Sequence, residues 1–335
     1  MFRILGFSIF ITITALFIAF FYGGLPAVIT TFFLIAVEMA ISFDNAIVNA
    51  KVLTKLSRFW QQIFLTVGIF IAIFVVRFLL PIVIVMFTAN LSFGDVFNLA
   101  INDTEKYGQK LNDAHVIISG FGGSFLLALS VYFLLDKQRK IYWFEQIEKP
   151  LQKLGGRFWL PPAIVIAIIL IISIFVHHDK IQFIEAGIIG TLTYTFIKSV
   201  LDFAERFAPT GKKHYTGWPA FLGFMYLELL DASFSLDGVL GAFAITNQVL
   251  LIALGLGVGA FWVRSFTIMM VRRGTLAVYK YLDHGAHYAI LILSLALLIG
   301  SVQKLPSALI GTSCIAVIML SFWASRRYNH SQKIS

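Results

Sequence analysis

The 335-residue chain is 59% hydrophobic, 15% aromatic and only 13% charged, with a mean hydropathy of +0.87. Those values exclude an ordinary soluble domain and a disordered chain, and they describe a polytopic membrane protein. A single cysteine, Cys314, excludes a disulfide framework and a cysteine-rich metal site, and the net charge of +9 comes from loops between apolar runs rather than from one basic face, which argues against nucleic acid as a partner.

The first apolar run, about residues 4–22, has the look of a signal peptide, but it is long and no A-x-A-like site follows it, so it reads as the first span. Nine further runs follow, at about 25–47, 61–88, 115–135, 159–176, 181–203, 219–244, 247–270, 285–302 and 306–325, each of spanning length. With a cytoplasmic N-terminus, 19 Lys and Arg fall in inside loops and only Lys106, Lys110, Lys180 and Lys304 outside, which predicts cytoplasmic termini. The polar stretch 90–113 becomes an outside loop. Residues 136–157, "DKQRKIYWFEQIEKPLQKLGGR", are basic, aromatic and amphipathic, and belong at the headgroup interface.

A repeat is visible within these runs. "EMAISFDNA" at residues 38–46 has a counterpart in "DASFSLDGV" at 231–239, which sets Glu38 against Asp231, Asp44 against Asp237 and Asn45 against Gly238. "GIFIAIFVVR" ending at Arg77 corresponds to "GLGVGAFWVR" ending at Arg264. Each half holds an odd number of spans, so the repeat is inverted. The expected architecture is therefore all-α, about ten transmembrane helices in a five-plus-five inverted repeat integrated as one membrane domain, with a cytoplasmic interfacial linker at 141–158 between residues 1–140 and residues 159–335. Inverted repeats are the construction of many secondary transporters.

Five carboxylates, Glu38, Asp44, Glu228, Asp231 and Asp237, lie inside apolar runs. An ionised group at the centre of a span costs roughly 2.5–3.5 kcal/mol, so five unpaired ones would cost on the order of 12–17 kcal/mol. Arg77 and Arg264 are candidate counter-ions, yet two arginines do not neutralise five acids, and a bound cation becomes the leading expectation. Six residues separate Glu38 from Asp44 and Asp231 from Asp237, which on an unbroken helix turns each pair about 120° apart. Interrupted helices near Ser42 and Ser235 would let the carboxylates converge at the midplane. Carboxylates with an Asn amide and the oxygens of Ser42 or Ser235 form a hard ligand set that suits Mn, Ca or Mg better than Zn or Cu. The glycines of "SGFGGSF" and "GLGVGA" read as small-residue packing faces rather than nucleotide loops. Lys198 and Asp202 read as a local ion pair, and His115 and His287 as solvated or capping residues near span ends.

The paired motifs, E-x-x-x-S-x-D-N in the first half and E-L-x-D-x-x-x-S-x-D in the second, resemble the TerC family of integral membrane proteins in the LysE transporter superfamily. The resemblance covers about residues 25–300. It implies manganese export or supply of metal to exported enzymes, a bacterial inner membrane, and an acidic site at Glu38, Asp44, Asn45, Glu228, Asp231 and Asp237 with only one amide, because Gly238 stands where Asn45 does. The expected function is a proton-coupled exporter of a divalent metal, with the metal as transported ion and no resident cofactor. Two alternatives stay open at this point: a membrane partner that delivers metal to exported metalloenzymes or translocation machinery, and an exporter of a small cationic or amino-acid substrate. No hydrolase or intramembrane protease motif is present, so no enzyme is expected.

Overall fold

The computed structural model describes residues 2–206, 214–243, 245, 246, 248–303 and 305–334. The side chain of Asp237 lies outside the described residues, as do Lys212, Lys213 and Lys304. In chain order the helices are α1 (Phe2–Ile41), α2 (Phe43–Leu53), α3 (Arg58–Phe70), α4 (Leu80–Ala89), α5 (Phe93–Asn102), α6 (Thr104–Asp113), α7 (His115–Leu134), α8 (Glu145–Leu154), α9 (Leu160–Ser173), α10 (Lys180–Arg206), α11 (Gly217–Phe243), α12 (Val249–Arg273), α13 (Thr275–Val278), α14 (Leu282–Gly300) and α15 (Ser307–Ile334). π-helical backbone over Ile71–Leu79 joins α3 to α4. Among the described residues the only extended pairing is a single bridge between Leu56 and Tyr215.

By length and composition, seven stretches among the described residues are able to cross a membrane, and α9 is a shorter apolar helix. The chain is a polytopic helical membrane protein. Its outward faces carry residues that water would not tolerate in such density, among them Phe10 (64% exposed), Phe17 (62%) and Phe21 (72%).

The longest of the seven stretches, Leu5–Ala40, is folded in two. Gly23 and Gly24 leave helical geometry, and Gly24 adopts φ 67°, ψ −155°, a region open to glycine and closed to residues with a Cβ. Both arms then pack along α12. Ser8 and Thr12 meet Ser265 and Trp262, so the chain ascends the first arm while descending α12; Leu34 and Glu38 lie against Gly255 and Gly259, so the second arm runs the same way as α12. The arms are antiparallel, as two separate runs at 4–22 and 25–47 require.

α7 forms the buried centre, flanked by α10 and α14. The expected small-residue packing faces are used here: a methyl at Gly120 would come 2.9 Å from the Phe183 carbonyl oxygen on α10, and one at Gly123 2.8 Å from Leu298 Cγ on α14. The core around Phe125, Leu126, Leu127, Phe183, Leu230, Ile290 and Leu298 joins α7, α10, α11 and α14.

Two expectations are corrected. The polar stretch 90–113 is helical, as α5 and α6, each opened by a side-chain cap: Ser92 Oγ accepts from the Asp95 amide and Asp103 Oδ1 from the Lys106 amide. Their inner faces, with Val96, Ala100, Tyr107 and Leu111, close a small core over α4 and the ends of α11 and α12. The second correction concerns the helix breaks. One is present at Ser42, a single residue at φ −91°, ψ 11° between α1 and α2. It is shallow, since the Ser42 amide still donates to the Glu38 carbonyl and the Ala46 amide to the Ser42 carbonyl. The break expected near Ser235 is absent, because α11 runs unbroken through Gly238.

Candidate functional site

The site is built where α1, α2 and α11 meet the two arginine-bearing helices. Glu38, one turn before the end of α1, is 1% exposed, and its Oε1 accepts from Ser42 Oγ at 3.0 Å and from Arg77 Nη2 at 2.5 Å. Arg77 sits in the π-helical segment, whose wider turn turns its Nη1 back onto the Ala72 carbonyl, five residues earlier, at 3.0 Å. Arg77 Nη1 also lies 3.7 Å from Asp231 Oδ2.

The second half supplies a tighter cluster. Glu228 and Asp231, at i and i+3 on α11, share a face, and both are 4% exposed. Arg264 grips Glu228 with both ends of its fork, Nη1 to Oε1 at 3.0 Å and Nη2 to Oε2 at 2.9 Å, and reaches Asp231 Oδ2 at 3.1 Å. Arg264 Nη1 also donates to the Phe64 carbonyl at 2.8 Å, while the guanidinium lies 4.2 Å from the centre of the Phe64 ring. This explains why α11 needs no break: the arginine collects acids already on one face.

An amide also joins the halves. Asn45 Nδ2 donates to Asp231 Oδ1 at 3.1 Å, so α2 and α11 are tied at the position the repeat selects. The reciprocal contact also exists, since a methyl at Gly238 would sit 2.8 Å from Glu38 Oε2. The shorter acid, Asp231, faces the amide of Asn45, and the longer acid, Glu38, faces the bare backbone of Gly238. The departure from symmetry noted in the motifs is thus a size exchange across the interface.

Of the residues expected at the site, Glu38, Asn45, Glu228, Asp231, Arg77 and Arg264 form one connected polar network. Asp44 stands beside it: Oδ1 accepts from the Asn45 amide at 2.8 Å, and Oδ2 is buried without a partner. Asp237 falls outside the described side chains. Among the described residues, no three Asp, Glu, His or Cys side chains are placed around one ion position; the arginines hold three of the carboxylates instead.

Buried oxygens left without partners mark where more binding capacity remains. On α2 and α11 these are, besides Asp44 Oδ2, Asn45 Oδ1, Asn49 Oδ1 and Ser235 Oγ. Asn49 was not singled out from the sequence, although its spacing from Asn45, i to i+4 on a helix with few polar residues, was the available signal. Glu148 was missed as well. It is fully buried on α8, where the amphipathic pattern does not single it out from its exposed neighbours. Two other expectations divide: Lys198 and Asp202 do form a local ion pair, whereas His287 is buried and stacked on Phe133, with ring centroids 3.7 Å apart, rather than solvated.

A search of curated proteins and a search of solved structures each return no match. A family model described as "Protein of unknown function (DUF475)" matches residues 43–332, which takes in α2, α11 and both arginines. The chain belongs to the DUF475 family.

Proposed function

We propose that the protein is a secondary transporter that exports a divalent metal cation, Mn2+ being the best fit to hard oxygen ligands, in exchange for protons. The observation that carries this reading is a charge imbalance inside the apolar interior. Among the described side chains, four buried carboxylates, Glu38, Asp44, Glu228 and Asp231, accompany two guanidiniums, Arg77 and Arg264. Two negative charges are left over, matched by one divalent ion or by two protons. Oxygens without partners on Asp44, Asn45, Asn49 and Ser235 supply hard acceptors on the two helices tied by Asn45 and Asp231.

The arginines give the site a way to stand without cargo. An isolated intramembrane charge costs roughly 2.5–3.5 kcal/mol, so carboxylates that release a metal need another positive partner. Arg77 supplies it to Glu38, and a cation that enters competes with that guanidinium for the carboxylate oxygens. Protons taken up by the carboxylates that keep no cation, Asp44 first among them, restore neutrality once the metal has left.

The reading includes ten crossings as a five-plus-five inverted repeat, obtained by counting the two arms of α1 separately, carrying the second arm on into α2, joining α3 to α4, and adding α7, α9, α10, α11, α12, α14 and α15. The reciprocal contacts support it: Asn45 on Asp231 against Glu38 on Gly238, and Arg77 on Glu38 against Arg264 on Asp231. The positive-inside bias supports cytoplasmic termini in a bacterial inner membrane, with the basic α8 side inward. Kinship with the TerC family belongs to the same reading.

The test is reconstitution into proteoliposomes with a metal indicator and a pH indicator inside. Mn2+ should enter with proton movement in the opposite direction, and Asp44→Asn should abolish both while the protein stays folded. Mn2+ flux equal to that of empty vesicles would refute the proposal.

A further inference from the structure

One buried acid lies away from the network and outside the stretches long enough to cross the membrane: Glu148 on α8. It turns inward onto α14. Its Oε1 accepts from the Tyr288 hydroxyl at 3.0 Å and from the Phe144 amide at 3.2 Å, and its Oε2 lies 3.4 Å from both His284 Nε2 and Arg139 Nη2. The outward side of α8 is open and carries apolar residues beside charged ones, Glu145 and Lys149 pairing there at 2.6 Å. Phe144, Ile147 and Leu154, three and seven residues apart, are 46%, 56% and 58% exposed. Exposed Lys137, Lys140, Lys153 and Arg157 flank these residues in sequence and outnumber the exposed acids Asp136 and Glu145, and exposed Phe158 and Trp159 follow.

Exposed apolar residues flanked by an excess of cations are badly solvated in water and well solvated at the boundary between anionic headgroups and acyl chains. The inner contacts of α8 lead further. Asp283, next to His284 on α14, pairs at 2.8 Å with Lys51 on the last turn of α2, the helix that carries Asp44, Asn45 and Asn49. Lys51 and Arg139 also share the Phe133 ring, at 5.2 and 4.7 Å from its centre.

We propose that α8 is a docking surface for anionic phospholipid, and that headgroup engagement there, transmitted through Glu148 to α14, holds the end of α2 in place. The ligand class is the phosphodiester headgroup of an anionic lipid, with the edge of its acyl chain against Phe144, Ile147 and Leu154. Each basic residue at an anionic surface strengthens engagement about five-fold, so removing three weakens it on the order of a hundred-fold.

The experiment uses the full-length protein with Cys314→Ser and a nitroxide on Ile147→Cys, in nanodiscs of phosphatidylcholine alone or with phosphatidylglycerol added. Collision with an aqueous nickel chelate reads the depth of α8, and amide hydrogen exchange of residues 43–53 reads α2. Added phosphatidylglycerol should shield the label and slow exchange in α2. The variant Lys140→Gln/Lys153→Gln/Arg157→Gln should lose the shielding. Glu148→Gln should keep the label shielded yet lose the response of α2, and Tyr288→Phe, which keeps the buried charge, should reduce that response in part. Equal nickel access in both lipids would overturn the docking surface; a shielded label with α2 exchange indifferent to lipid would overturn the coupling. Neither readout uses a transported ion, so the result stands apart from the transport reading.

Discussion

Arg264 and Arg77 end corresponding segments of the two halves, yet they are held in opposite ways. Arg264 spends both ends of its fork on Glu228, adds Asp231 and the Phe64 carbonyl, and lies over the Phe64 ring. Arg77 has one carboxylate at hydrogen-bond distance, Glu38, and otherwise caps a carbonyl of its own π-helical turn. The second half is a fixed clamp, and the first half is the side on which an ionic partner can be exchanged. The paired contacts repeat this lesson, because the amide of Asn45 fixes Asp231, whereas Glu38 rests against a glycine.

The sharpest way to break this contrast is to remove each arginine. Arg264→Gln leaves two buried carboxylates without their cation and should lower stability by roughly 3–5 kcal/mol, read by thermal unfolding in detergent. Arg77→Gln should cost about 1–2 kcal/mol less, since it strands one carboxylate that keeps Ser42 as a donor. Equal losses would show that the two halves are held alike.

Packing gives a second contrast, between two glycines. A methyl at Gly68 would strike Arg264 Nη1 and lie 2.5 Å from Glu228 Oε1, inside the clamp. Gly68→Ala should therefore destabilise by about 1–3 kcal/mol. At Gly257 the nearest heavy atom to such a methyl is Ile73 Cγ2 at 3.6 Å, and Gly257→Ala should be neutral or slightly stabilising, as alanine is the better helix former by about 1 kcal/mol. A comparable loss at both positions would mean that the clamp is no tighter than its surroundings.

A third comparison sets the network against the ion cluster beside water. Burial pushes the Glu148 carboxyl up, but the hydrogen bond and charge of His284, the Phe144 amide and Arg139 outweigh it and hold the group below its ordinary value of 4.5. A depressed carboxylate contributes stability that is present above its unfolded pKa and lost as pH falls through the folded one. Amide exchange of residues 136–157 should thus rise as pH falls below the ordinary value of 4.5 in the wild type, and Glu148→Gln should flatten that response. The smallest effect belongs to Lys51→Gln: its partner Asp283 is the better buried of the two, but Lys51 is 46% exposed, and the loss should stay within about 1 kcal/mol.

These contrasts also separate what sequence made legible from what it did not. The cost of charge in an apolar run selected Glu38, Asp44, Glu228 and Asp231, and the internal repeat selected Arg77, Arg264 and Asn45, before any distance was known. Which acid meets which arginine was not legible. Glu228 and Asp231 already share a helical face, so the six-residue spacing to Asp237 does not require a break in α11. The π-helical turn under Arg77 has no residue signature, since it answers to tertiary contacts rather than to propensity. Residues 90–113 were read as a loop because polar composition hides an amphipathic helix pair whose inner face is short. Glu148 escaped for a related reason: one buried acid among solvated ones looks like its neighbours.

The fold of α1 at Gly23 and Gly24 bears on biogenesis. Two antiparallel apolar arms leave the ribosome as a hairpin able to enter the bilayer as a unit, with Glu38 near its end and its cation, Arg77, still 39 residues behind. At about 5–20 residues per second that separation is a delay of several seconds. During it Glu38 has no guanidinium partner, and the hydrophobicity of both arms together offsets its cost. The glycine pair therefore serves the nascent chain as well as the finished protein, since a single arm ending in Glu38 would enter lipid alone with its charge unanswered.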